Sequence, residues 1–418
     1  MQQASTSPNE FTMASTTVKH KWQFSSRFKQ GAFGWRSDLP IKRIKEAVSE
    51  IKAISKTDSV LAAEGAVRFI ERLSPAIEHV DSSSGSIGTA VNHAIEALAE
   101  IIGKAVVTDS QRNAWLERIW QAVQNDGCCY LDVIDEYWPM MCHTQEVGIH
   151  WADYFDELIV QFKANSKDRY DYFAGESLWY ASLFAAERFE ELLSLSRSEP
   201  RASWPLQRWC IYSLARLGRV DAAIDYTQTQ VSGISSDYLH SICEELLLKE
   251  GRRAEAYAHY ALTGNHANSN LSKLRAIAKK YPEVAPEQIL DDLVHKDPTQ
   301  KGKWFAAAKS LGLYDKAIEL VSQSPTDPAT LIRAARDFAD KQPEFAFRSG
   351  LAAVHWLLLG YGYEMTQWDL ISALSLTQQI ADANGYGREP IHQFLLALET
   401  EPRLKREWFD EVLKYSFR

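Results

Sequence analysis

The chain has 418 residues, 45% of them hydrophobic, with 13 Trp, 17 Tyr and 17 Phe. That is enough apolar bulk for a large packed core and argues against a mostly disordered polypeptide. No apolar run approaches the ~20 residues that cross a bilayer, and the polar N-terminus lacks the apolar core of a secretory signal. The expectation is a soluble, cytoplasmic protein with no membrane contact.

Five scattered cysteines, Cys128, Cys129, Cys142, Cys210 and Cys243, form no C-x-x-C pair. They predict reduced, mostly buried thiols rather than a disulfide framework. The net charge of −9 hides an asymmetry. Residues 1–56 hold ten basic against four acidic side chains, a surplus of six, so the rest of the chain is strongly acidic. A basic arm on an acidic body binds a polyanion or folds back on that body.

In chain order, residues 1–20 are Ser/Thr-rich and read as a disordered tail; Met13 stands as an alternative start. Residues 21–57 form a basic, aromatic arm and a first helix. The arm's Gly31 and Gly34 oppose a long helix, and Pro40 opens one whose Ile41, Ile44, Val48 and Ile51 share a face. An N-terminal helical section follows over 58–165. Its predicted helices are Val60–Leu73, ending near Ser74-Pro75, then Ile87–Ile102, and Asp109–Gln124 with an Asp/Ser cap.

The second half repeats itself. Ala185–Leu193 (AAERFEELL), Arg216–Ile224 (RLGRVDAAI), Lys249–Tyr257 (KEGRRAEAY) and Ser310–Ile318 (SLGLYDKAI) share one pattern. A helix ends, a turn follows at 187, 218, 251 or 312, and an acid and a small residue open the next helix. Continuing the step predicts turns near Pro282 and Gln342. Gly218, Gly251 and Gly312 suit the left-handed conformation that closes a helix. Asp221, Glu255 and Asp315 suit the positive end of the next helix. Ala222, Ala256 and Ala317 are the small residues expected to let paired helices approach. About six hairpins thus fill 166–360, with C-terminal capping helices over 361–418.

These hairpins resemble the tetratricopeptide class of helical repeats. Their period of 30–33 residues and the lack of a regular proline at the repeat end depart from it. The chain also looks similar to uncharacterised bacterial helical-repeat proteins. The resemblance implies an all-α fold: a right-handed helix-hairpin solenoid preceded by the N-terminal helical section, with a concave face lined by first helices.

No nucleotide-binding, zinc-protease or hydrolase signature is present in the sequence, and nothing in it asks for a cofactor or resident metal. The first helices carry Arg208, Arg216, Arg275, Lys279, Lys303, Lys309, Arg333 and Arg336, which would make a positive groove; Glu244 and Glu245 interrupt the stripe. Trp204, Trp209, Tyr238 and Trp304 are candidate anchors. The arm offers Trp22, Arg27, Lys29, Trp35 and Arg36 to nucleic acid or a partner, or docks its aromatics on its own helices. Ser84, Gly85, Ser86 and Gly88 open a helix where backbone N–H groups would meet an anion; an ordinary capped loop is the alternative. His79, Asp81 and His93, or Cys142, His143 and His150, lack a diagnostic metal spacing.

The expected function is therefore that of a non-catalytic interaction or scaffold protein, binding a protein partner or a second copy of itself through the concave face. A nucleic-acid-binding protein is the alternative. A metal-dependent enzyme centred on residues 78–93 comes after that.

Overall fold

The computed structural model describes residues 20–165, 173, 175–199 and 202–416. The expected tail, apart from residue 20, and Met13 lie outside these residues. Among the described residues the chain is all-α, with no strand, and no helix is long and apolar enough to cross a membrane. Two compact units divide between Val231 and Ser232.

The first unit opens with α1 (Phe24–Arg27), α2 (Asp38–Ser55), α3 (Ser59–Ile77), α4 (Ser86–Lys104) and α5 (Asp109–Gln124). Three boundaries differ from those predicted. Helix α2 begins before Pro40, which sits in its first turn where a missing N–H costs nothing. Helix α3 runs through Pro75, because Ala76 and Ile77 are fully buried and the proline removes only one late ladder bond. The cap of α5 is Thr108, whose hydroxyl accepts from Gln111 N at 3.2 Å.

Two helices without a clear periodic signal follow, α6 (Ile134–Cys142) and α7 (Gln145–Asn165). Their Trp138, Trp151 and Phe155 join Trp120 in one aromatic core, and Trp115 is buried as well. Arg112 is buried within it and donates to the carbonyls of Ile102, Ala105 and Met141, satisfying the C-terminal ends of α4 and α6. The unit closes with two hairpins, α8 (Glu176–Ala185) with α9 (Phe189–Ser198) and α10 (Trp204–Arg216) with α11 (Val220–Thr229).

The second unit continues as hairpins. Helix α12 (Ser236–Lys249) pairs with α13 (Arg253–Ala256), which passes through one wide turn (Tyr257–Ala261) into α14 (Leu262–Gly264). Then come α15 (Asn270–Lys280) with α16 (Pro286–Lys296), and a tight turn (Lys301–Trp304) leading into α17 (Phe305–Ser310), paired with α18 (Tyr314–Gln323). Helices α19 (Pro328–Phe338) and α20 (Pro343–Leu358) follow. The last three, α21 (Gln367–Ala383), α22 (Glu389–Leu398) and α23 (Arg406–Ser416), share a core with α20 through Leu357, Leu370, Ile391 and Phe409.

The repeated turns have one construction. Glu187, Gly218, Gly251 and Gly312 all have positive φ, between 59° and 76°. In each case the next residue's N–H reaches back five residues: Arg188 to Leu183, Arg219 to Leu214, Arg252 to Leu247, Leu313 to Ala308. This is the Schellman closure, and it recurs after the expected repeats at Gly360 and Gly385. Five residues past each repeat turn lies a fully buried side chain: Leu192, Ala223, Ala256, Ala317. The small contact residue of the second hairpin is thus Ala223, and Ala222 is exposed.

Candidate functional site

A cleft of the second unit, about 790 Å³, lies where the starts of α15, α17 and α19 meet the loop after α20. Its floor forms because the segment Ser324–Thr326 is laced onto Gly302. Gly302 N donates to Ser324 Oγ at 2.6 Å, and Thr326 Oγ1 donates to Gly302 O at 2.6 Å. A Cβ at Gly302 would stand 2.2 Å from Ser324 O, so only glycine permits the approach. Leu271, Phe305, Ala306 and Pro325 make the lining predominantly apolar. Tyr361 and Tyr363 form a wall on a loop bent by Gly360 and Gly362, both at positive φ, and Tyr363 is 89% exposed.

Two exposed cations border this apolar surface. Lys303 lines it and is exposed. Lys309 lies over the Phe305 ring, its Nζ 6.0 Å from the centroid. Burial lowers the Lys309 pKa; Asp337 acts to raise it and Arg333 to lower it. Arg333 donates to Thr330 Oγ1, itself a lining group, at 3.1 Å. Arg275 and Lys279 follow Leu271 at successive steps of four along α15, which keeps them on its face. Arg275, Lys279 and Lys303 make no ion pair with a described carboxylate. The lining carboxylate, Asp327, is occupied in accepting from the N–H groups of Ala329 and Thr330 at the start of α19.

The eight groove cations inferred from sequence therefore separate. Lys303 lines this cleft and Arg333 reaches its lining through Thr330, with Arg275 and Lys279 further along α15; Lys309 is not a lining residue and lies over the Phe305 and Phe338 rings. Arg336, also on α19, pairs with Asp337 at 3.2 Å. Arg208 and Arg216 belong to the first unit. Arg208 is 4% exposed and stands against Asp135 and Glu136, so it is a core residue and not part of any open groove. Arg216 pairs with Glu187 at 2.7 Å. Glu244 does not interrupt a surface stripe: it is fully buried, accepting from Asn265, Lys280 and Tyr281. Among the candidate anchors, Trp209 and Trp304 are buried and Tyr238 is exposed. Reasoning from periodicity missed Phe305, Tyr361 and Tyr363. The Gly360-Tyr361-Gly362-Tyr363 run was the available signal, an aromatic loop with two forced bends.

The N-terminal arm is divided in a similar way. Trp22, Phe24, Phe28 and Phe33 are buried, with Phe24 and Phe28 edge-on to Phe69 of α3. Gly65 makes room for Trp22, since a Cβ there would fall 2.3 Å from the indole. Glu50 accepts from the backbone N–H of Gln23 at 2.8 Å, and Arg72 donates to Ser25 O at 3.0 Å. Trp22 thus presents no face to a base. Arg27 pairs with Glu46, while Lys29, Trp35 and Arg36 remain exposed, Trp35 at 71%.

Ser84, Gly85, Ser86 and Gly88 do open α4, with Gly85 at φ 69° and the two serine hydroxyls 2.8 Å apart. Asp81 turns its carboxylate onto Ser83. His79 stands beside Glu78, and His93 beside Glu96. His143 has φ 66° and ends α6, so it shares no helical face with His150 of α7. Among the described residues no three His, Cys, Asp or Glu side chains are grouped to hold a metal ion.

The first unit has its own cleft of about 680 Å³ between α3 and α5. Its guanidinium, Arg118, is saturated by Glu71 at 2.8 and 2.7 Å and Glu64 at 2.8 Å, which together raise its pKa. No protein-family model matches the chain, and no curated protein or solved structure is significantly similar to it.

Proposed function

We propose that this chain is a non-catalytic interaction protein of tetratricopeptide-like, right-handed hairpin architecture, which holds a protein partner in the cleft of its second unit. The observation that carries this reading is the pairing of an apolar cleft with two exposed cations, Lys303 and Arg333, that make no ion pair with a described carboxylate. Apolar floors with a polar, charged rim are how protein partners are held. The aromatic wall supplies rigid contact area, with Tyr363 almost free of its own protein.

The test compares recovery of partners from the native host by the wild-type chain and by K303E/R333E, before and after nuclease digestion. A protein recovered by the wild type, resistant to nuclease and lost with the variant supports the reading. Recovery unchanged in the variant refutes it. The nucleic-acid reading retains only Lys29, Trp35 and Arg36 from the arm, since Trp22 is buried and Arg27 is paired; partners lost on nuclease treatment would favour it.

A further inference from the structure

Resting on the interaction reading above, we infer that the occupant of this cleft is an acidic segment of a protein partner, with an aromatic or long aliphatic side chain between its carboxylates. The apolar side chain seats on Leu271 and Pro325 against Tyr361. The carboxylates on either side then meet Lys303 at one edge and Arg333, beside Thr330, at another.

The charge complementarity comes from Lys303 and Arg333 beside an apolar lining. Elsewhere in the second unit basic side chains are commonly neutralised at home: Arg253 by Glu283, Lys280 by Glu244, Arg348 by Asp315, Arg403 by Glu401. At the cleft, Lys303 and Arg333 are exposed, and neither makes an ion pair with a described carboxylate. Arg333 uses its hydrogen-bond donors on its own helix, on Ala329 O and Thr330 Oγ1, which holds the guanidinium beside the lining without neutralising it.

A polyanion such as nucleic acid fits less well. The whole chain carries −9, which repels an extended polyanion at long range. The cations also stand singly around an apolar surface, rather than forming the continuous basic track that follows a phosphate backbone. A short acidic segment gains from the apolar seat and meets few of the distant carboxylates.

The experiment uses the full chain and four fluorescent probes in anisotropy titrations. The first is a short peptide with a Leu-Phe pair flanked by Glu and Asp; the second has Gln and Asn in place of the acids. The third keeps the acids and replaces Leu-Phe with Ser-Gly, and the fourth is an oligothymidylate. The first peptide is expected to bind saturably and at least about tenfold more tightly than either altered peptide. K303E/R333E is expected to reverse that preference, and Tyr363→Ala to weaken the first peptide alone. All three side chains are exposed, so folding of the variants is checked by unchanged helical circular dichroism.

Equal binding of the acidic and amide peptides, no peptide binding, or displacement of the peptide by the oligonucleotide would each overturn the inference. If a native partner is lost from K303E/R333E yet binds through a neutral segment, the acidic occupant fails while the interaction reading stands.

Discussion

Arg208 and Lys303 look alike in the sequence, each a cation near the start of a first helix, yet the structure gives them opposite consequences. Arg208 is 4% exposed and lies between two carboxylates and an indole: Glu136 Oε1 at 2.6 Å, Asp135 Oδ2 at 2.9 Å, and the Trp209 ring at 5.2 Å. Burial outweighs the charge and contact of Arg208, and the Asp135 carboxyl is pushed up to about 6. Against ~3.9 for an unfolded Asp, the folded state holds its proton longer. The contribution of Asp135 is fully favourable below about pH 4 and is lost as pH rises through 6, a swing of ~3 kcal/mol. Arg208→Ala removes the cation paired with this buried carboxylate, a loss that costs ~3–5 kcal/mol when the acid is ionised. At pH 5 the acid is largely protonated, and the loss shrinks to ~1–2 kcal/mol for the Glu136 contact and the ring. Denaturant unfolding of wild type and variant at pH 5 and pH 8, followed by tryptophan fluorescence, measures both values. A penalty below ~1 kcal/mol at pH 8, or equal penalties at the two pH values, would refute the reasoning.

Thiol labelling should divide the cysteines two against three: Cys128 and Cys129 react in the native chain, while Cys142, Cys210 and Cys243 wait for unfolding. Burial acts first on Cys128 and the Asp132 charge first on Cys129, and both pKa values are raised, so the two rates should climb steeply above pH 8; a third fast thiol would contradict this burial pattern. Gly302→Ala places a methyl 2.2 Å from Ser324 O and should cost ~1–3 kcal/mol by overpacking, with loss of the peptide site as the floor shifts. An unchanged melting temperature with intact peptide binding would show that the floor is not built as described.

Much of the fold was legible because its turns are chemically explicit. Glycine at 218, 251 and 312 marked helix closures, and the same spacing found the closure at Glu187, where an ordinary residue accepts positive φ. Helices α6 and α7 were not legible. Trp138, Met141, Trp151 and Phe155 are core residues, but Pro139 interrupts the pattern of α6, and α7 mixes charges into its buried stretch. The site was only partly legible. Periodicity places a cation on a helix but does not say whether a carboxylate far along the chain reaches it, as Asp135 and Glu136 reach Arg208 across some seventy residues. Nor does it reveal that Ser324–Thr326 must lie on Gly302 for Phe305 and Tyr361 to line one cleft.

The central claim is that the cleft of the second unit receives an acidic segment at Lys303 and Arg333. Amine acylation footprinting of the full chain, read by mass spectrometry with and without the acidic Leu-Phe peptide, tests it most directly. The account predicts that bound peptide protects Lys303 and leaves Lys249 and Lys414, paired with Glu245 and Glu411 elsewhere in the unit, labelled as before. Unchanged labelling of Lys303 at saturating peptide, or equal protection of all three lysines, would contradict it.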